Sequence, residues 1–206
     1  MSTSRPHPQK AALRRAALAR RAAMGPAAQA EASRRIHAVV TELPAFQAAR
    51  GVHCYLSMAG EVATGPLFET CRALGKTTFA PYQDRPAGRL GWAPWAPGDP
   101  VARGPMDVPE PARRLAARPE AIDLVLVPGV AFDRTGTRLG FGKGFYDEFL
   151  ARLRSRRSTG DAQASAGPIF VALAFGVQMV EWLPRDPWDV AMDAIATEGG
   201  ALTIQG

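Results

Sequence analysis

The chain has 206 residues, 47% hydrophobic and 21% charged, which suits one α/β domain with a substantial core. No apolar run reaches the ~18–20 residues needed to span a bilayer, and the N-terminal Met1-Ser-Thr-Ser-Arg-Pro-His-Pro8 lacks the hydrophobic stretch of a secretory signal. A formal net charge of +6 favours anionic partners, whether nucleic acid or a small polyanion such as a nucleotide.

The basic residues do not form a block. They scatter as pairs such as Arg14-Arg15, Arg20-Arg21, Arg34-Arg35, Arg113-Arg114 and Arg156-Arg157, with no zinc-finger spacing and no RNA-binding aromatic signature. Nucleic acid is therefore not the expected partner, although a basic RNA-binding protein is the alternative of a different class. Cys54 and Cys71 lack CxxC or Cys/His spacing and read as reduced core residues of a cytoplasmic protein rather than a disulfide or metal site.

In chain order, residues 1–8 read as a disordered tail ahead of a single domain over 9–206. Gln9 to about Met24 is rich in the helix formers Ala, Leu and Arg, Gly25-Pro26 breaks it, and a second helix follows from Ala27 to Glu42. Val52–Ser57 reads as a buried strand, Pro66–Leu74 as a helix, and Lys76–Ala80 as a strand stopped by Pro81. The proline- and glycine-rich stretch 81–111 reads as loops with a short hairpin around Arg89–Ala93, and Trp92 and Trp95 as packing residues. Asp123–Val127 is a third strand, followed by a glycine loop and a helix to about Arg157. A flexible connection over 158–167, a fourth strand at Ile169–Ala174 and a possible fifth at Ile195–Thr197 complete the pattern. Strands alternating with helices imply a mostly parallel sheet covered on both faces.

The glycine loop carries the chemistry. Arg138-Leu139-Gly140-Phe141-Gly142-Lys143-Gly144-Phe145-Tyr146-Asp147 leads from a buried strand into a helix whose Tyr146, Phe149, Leu150 and Leu153 recur at i, i+3, i+4 and i+7. It is neither GxxxxGK[ST] nor GxGxxG, and a bare GxGxG can serve only a tight turn. A helix N-terminus favours anions, however, and Arg138 and Lys143 add charge for phosphate. Lys10, Lys76 and Lys143 are the three lysines of an arginine-rich chain, so a lysine inside the loop suggests a need for its compact ammonium. Phe141, Phe145 and Tyr146 suit either stacking on a planar ligand or, for Tyr146 above all, core packing. Asp147 suits either magnesium or the helix dipole. His7, His37 and His53 follow no metal or triad spacing, so no acid–base histidine is assigned.

The segment Asp123–Leu150, with Val127-Pro-Gly-Val-Ala-Phe-Asp-Arg134 before the loop, resembles the signature of the 5-formyltetrahydrofolate cyclo-ligase (5,10-methenyltetrahydrofolate synthetase) family. Lys10-x-x-Leu13-Arg14 resembles its N-terminal nucleotide-binding element, and Tyr55-Leu-Ser-Met58 with Glu61-x-x-Thr64 its folate-binding segment. Pro109-Glu-Pro111, Ala172–Phe175 with Gln178, and Pro184–Glu198 fall in the family's order, so the resemblance runs from residue 9 over nearly the whole chain. It implies a three-layer α/β/α fold like that of NagB, RpiA and the CoA transferases. It also implies ATP-dependent closure of 5-formyltetrahydrofolate to 5,10-methenyltetrahydrofolate, with ADP and phosphate released. ATP and a reduced folate, polyglutamylated or not, are then the partners of an expected monomer with no nucleic acid or membrane.

The same resemblance allots Lys10, Arg14 and Arg138 through Tyr146 to ATP, with Lys143 and Arg138 catalytic. It allots Leu56, Met58, Glu61, Phe141 and Phe145 to the folate, and Asp147 and Asp189 to Mg2+, with Asp186 and Asp193 as competitors. Spacing alone leaves Lys10 and Arg14 as a solvated helix face and Glu61 and Asp189 as loop acids. Two departures stand out: Phe145 where the family commonly has tyrosine, and Met106 where it usually has an aromatic residue. A relative that keeps the nucleotide elements and acts on another substrate is the rival within the fold.

Overall fold

The computed structural model describes residues 8–115, 121–155 and 167–204. The tail before Pro8, the connection over 158–166 and the helix end at Arg156 and Arg157 lie outside them. Helices α1 (Pro8–Ala23) and α2 (Gly25–Glu42) are separated at Gly25, whose φ of +73° turns the chain. Three further helices follow: α3 (Pro44–Ala48), α4 (Gly65–Ala73) and α5 (Phe145–Arg154).

The main sheet has seven strands: β1 (Gly51–Cys54), β2 (Thr77–Asp84), β3 (Arg89–Pro94), β6 (Leu124–Val127), β9 (Ile169–Leu173), β11 (Ala194–Thr197) and β12 (Gly200–Thr203). Their order is β12-β11-β9-β6-β1-β2-β3. The five central strands run parallel, and β12 and β3 pair antiparallel at the two edges. Leu124 and Leu126 of β6 join α2, α3 and α4 on one face, whereas Val125 and Val127 join Phe149, Leu150 and Leu153 of α5 on the other. Both faces are buried, which is why these strands read as continuous apolar runs rather than alternating ones. The result is the expected α/β/α sandwich with a mostly parallel sheet.

Three expectations need correction. β2 does not stop at Pro81 but continues to Asp84, with Pro81 opposite Trp92 of β3. Its partner β1 ends its pairing at Phe79, so Pro81 stands where β2 has one neighbour, the setting in which a strand tolerates proline. The stretch 81–111 is also more ordered than its composition suggests, holding β3 and a hairpin of β4 (Val101–Arg103) and β5 (Pro109–Pro111). Finally, Tyr55–Ser57 leave the ladder, since β1 ends at Cys54.

A small second sheet, β10-β7-β8, stands beyond the end of β6: β7 (Ala131–Asp133), β8 (Arg138–Leu139) and β10 (Met179–Val180). Asp133, 1% exposed, closes its β7–β8 turn. Its Oδ1 accepts from Thr135 N (2.9 Å), Thr137 N (3.1 Å) and Thr135 Oγ1 (2.6 Å), and its Oδ2 from Leu183 N (2.9 Å). Buried Gln178 donates to the carbonyls of Gly129 (2.8 Å) and Val130 (3.2 Å) and accepts from Phe175 N (2.9 Å). Helix α1 lies on this platform, with Leu13, Ala17 and Leu18 packed against Val130, Ala131, Leu139 and Leu183.

His53 of β1 is fully buried, 4.7 Å from the Phe149 ring, and neither ring nitrogen has a hydrogen-bond partner. Burial pushes its pKa down to about 3, opposed only by its own backbone, so the imidazole is neutral in the fold. The unfolded chain then binds the extra proton between pH ~6.5 and about 3, and acidification through that window destabilises the fold by up to ~1.4 kcal/mol per pH unit. Denaturant unfolding at pH 7 and pH 5 should show this loss, and His53→Leu should shrink it. An equal acid loss in the variant would trace the sensitivity to another group.

Candidate active site

At the carboxyl end of β6 the chain passes through the β7–β8 hairpin and the glycine loop into α5. Gly144, in the left-handed region at φ +71°, precedes the first residue of α5, and Asp147 and Glu148 fall in its first turn. Gly140 is held close to Arg138: a Cβ there would lie 2.7 Å from Nη1, and the guanidinium would have to shift to admit it. Gly142, at φ +93°, lies beside the Arg14 guanidinium.

Arg138 belongs to β8 rather than to the loop, and its side chain is 4% exposed. Its Nη2 donates to Asp147 Oδ1 at 2.8 Å, and its Nε is buried without a partner. From α1, Lys10 Nζ donates to Asp186 Oδ2 (2.6 Å) and Asp189 Oδ2 (2.8 Å), and Arg14 Nε to the Gly140 carbonyl (2.7 Å). Desolvation lowers the pKa of Lys10, but the two carboxylates outweigh it and the net shift is upward. The ammonium therefore stays charged at neutral pH. Lys143 is exposed and makes no ion pair among the described residues.

These side chains border one cleft of about 690 Å³, which also takes in Leu56, Met58 and Glu61. Every residue proposed for ATP, folate or metal lines it, including Leu139, Phe141, Phe145, Tyr146 and Asp189. Glu61, also in its lining, takes a hydrogen bond from Met58 N at 3.0 Å. Burial raises the Glu61 pKa, while that bond and the charge of Arg21 act in the opposite direction. Thr64 does not line the cleft; it is buried, with Oγ1 bonded to the Tyr55 carbonyl at 2.7 Å, and braces the segment. Asp193 is likewise outside, accepting from Arg154 Nη1 and Phe170 N at 2.8 Å each, whereas Asp186 is inside.

Sequence reasoning misses several lining residues, among them Tyr82, Glu110 and Trp188. Tyr82 follows Pro81, where the strand is expected to stop. Glu110 is 2% exposed, accepting from Gln83 N and Arg114 Nη2 at 3.0 Å each; its only sequence signal is the Pro-Glu-Pro triplet. Trp188 lies 58% exposed at the rim and has no signal. Met106, at the tip of the β4–β5 hairpin, also faces the cleft, and it and Asp107 hold φ of 58° and 61°. Two consecutive side-chain-bearing residues in the left-handed region mark a strained tip beside the site.

Asp147 and Asp189 offer oxygen donors suited to a hard cation. Among the described residues no group of three His, Cys, Asp or Glu side chains could hold a metal by itself. The cysteines are free and buried, and no helix among the described residues is long and apolar enough to cross a membrane.

A family model described as the 5-formyltetrahydrofolate cyclo-ligase family matches residues 6–198. The chain is 30% identical over 183 residues to the 5-formyltetrahydrofolate cyclo-ligase of Escherichia coli (strain K12), covering 86% of this chain and 94% of that one. It is 28% identical over 200 residues to the mitochondrial enzyme of that name from Arabidopsis thaliana, covering 88% and 71%. The structure superposes on the NMR structure of Aquifex aeolicus 5,10-methenyltetrahydrofolate synthetase with a TM-score of 0.79 at 29% identity, covering 96% of this chain and 93% of that one. With the glycine loop, the α1 cations and the Glu61 pocket meeting in one cleft, the chain belongs to the 5-formyltetrahydrofolate cyclo-ligase family, a family of ligases.

Proposed function

We propose that this cleft holds ATP and 5-formyltetrahydrofolate side by side and closes the folate to its 5,10-methenyl form, releasing ADP and phosphate. One observation carries the reading: a cluster of cations, apolar side chains and the half-buried Glu61 carboxylate share a single cavity. The chemistry needs both. An N5-formyl group is amide-like, so its carbon is a poor electrophile and its oxygen a poor leaving group. Transfer of the γ-phosphoryl group to the formyl oxygen breaks the bond to ADP and makes that oxygen part of a phosphate leaving group. N10 then attacks the formyl carbon, its proton is released, and expulsion of phosphate completes the methenyl bridge.

Such a transfer depends on positioning and on neutralising the charge that develops on phosphate oxygens. Lys143, the loop amides and Arg138 take the transferring group, and Lys10 and Arg14 the rest of the triphosphate. Leu56, Met58, Phe141 and Phe145 flank the folate, and Glu61 accepts from its ring nitrogens. Asp147 and Asp189 would hold Mg2+, which keeps several waters and needs only one or two carboxylates besides phosphate. The ion would neutralise phosphate charge.

We further place the enzyme in the cytoplasm as a monomer. The purified chain with Mg2+, ATP and 5-formyltetrahydrofolate should develop the near-ultraviolet absorbance of the methenyl product. Folded protein that binds ATP but forms no product from this folate overturns the reading.

A further inference from the structure

Lys10 meets both of its carboxylates inside one turn, Asp186-Pro187-Trp188-Asp189. The turn closes on itself twice: Asp189 N donates to the Asp186 carbonyl at 3.0 Å, and Asp186 N donates to Asp189 Oδ2 at 2.8 Å. Aspartate at the first position and proline at the second suit such a turn, since the proline ring presets φ. The ammonium of Lys10 bridges its two ends, 2.6 Å from Asp186 Oδ2 and 2.8 Å from Asp189 Oδ2.

The two acids are not equivalent. Asp189 Oδ2 takes two donors, Lys10 Nζ and Asp186 N, and its side chain is only 10% exposed. Asp186 is 37% exposed, and among the described residues its carboxylate serves Lys10 alone. An ammonium has three donors, and these bonds use two of them, which leaves one for a ligand in the cleft. A cation taken up by Asp189 competes with Lys10 for that carboxylate, and Asp186 is then the partner that Lys10 keeps. On its flexible four-carbon stem a lysine without such a partner loses its aim.

Resting on the proposed reading of ATP and Mg2+, we propose that Asp186 is a positioning residue, which holds the Lys10 ammonium toward the triphosphate while Asp189 serves the metal. Asp186 acts on the nucleotide through Lys10 and is not itself a metal ligand. The sign of its effect separates this role from plain electrostatics. A carboxylate near a polyanion repels it, so by charge alone the loss of Asp186 would tighten ATP binding. Loss of a positioning partner weakens it.

The test measures ATP binding by calorimetry across a range of Mg2+ concentrations, at physiological salt, for the wild-type chain, Asp186→Asn, Lys10→Met and the double variant. Asparagine preserves the turn, whose closing bonds use the Asp186 backbone and the Asp189 side chain. Asp186→Asn should weaken ATP by about fivefold, with the half-saturating Mg2+ concentration and the affinity for 5-formyltetrahydrofolate each within about twofold of wild type. Lys10→Met should weaken ATP by about tenfold or more, and adding Asp186→Asn to it should cost nothing further, because the two residues act as one unit. Unchanged or tighter ATP binding in Asp186→Asn, a loss that persists in full without Lys10, or a raised Mg2+ requirement each overturn the assignment while leaving the proposed reaction standing. A wild-type chain that binds no ATP with Mg2+ present overturns the proposed function and this inference with it.

Discussion

Lys143→Met should lower turnover by about 10²-fold or more, the cost of deleting one preorganised electrostatic donor from a transition state. Three features make the substitution clean. The side chain is exposed and makes no ion pair among the described residues, so the fold does not depend on it. It is flanked by Gly142 and Gly144, both at positive φ, so the loop conformation is set by the glycines and survives the change. Methionine keeps the length and apolar stem of lysine and removes only the charge. Steady-state kinetics should show the loss mainly in kcat, because on the proposed reading Lys10, Arg14 and Arg138 continue to hold the nucleotide. Lys76→Met is the matching control, since Lys76 Nζ bonds the carbonyls of Gln47 (3.0 Å) and Ala49 (2.6 Å) and does not border the cleft. Turnover unchanged in Lys143→Met would remove the loop from the reaction.

The second large effect concerns stability. Asp133→Ala should cost about 2–5 kcal/mol, because it orphans the buried N–H groups of Thr137 and Leu183 at ~1–3 kcal/mol each, while exposed Thr135 turns to water. Asp133→Asn keeps one accepting oxygen and should lose less. Denaturant midpoints at constant slope measure both. A loss below about 1 kcal/mol in the alanine variant would mean that these amides find other partners. The consequence reaches the site, since Leu183 begins the segment that carries Asp186 and Asp189 opposite Lys10.

The central strands are legible in the sequence because a parallel strand buried on both faces must be apolar throughout, as Leu124–Val127 and Ile169–Leu173 are. Helix α5 announces itself by periodicity and by the glycines before its start. The platform of β7, β8 and β10 does not, since strands of two or three residues are too short to display any period. Arg138 consequently reads as a loop residue although it is a buried strand residue. In the site, the glycine loop is legible from spacing alone because its parts are contiguous. Lys10, Arg14, Glu61 and Asp189 are legible only through the family resemblance. Lys10 meets its carboxylates across 176 and 179 residues of chain, a separation that no local pattern encodes. Tyr82 and Glu110 reach the cleft through hairpins whose register is set by pairing rather than by composition.

Two cations of the cleft are matched to carboxylates, Lys10 with Asp186 and Asp189 and Arg138 with Asp147, whereas Arg14 and Lys143 make no ion pair among the described residues. Such a site is not simply a positive trap. A small free anion such as phosphate or sulfate can draw on Lys10 or Arg138 only by stripping a carboxylate of its partner, and it brings nothing to replace it. A polyanion that travels with its own counter-cation can replace both partners of such a pair at once. At Lys10 and Arg138 the carboxylates thus act as a sieve, disfavouring the abundant simple anions that would crowd an unpaired arginine or lysine.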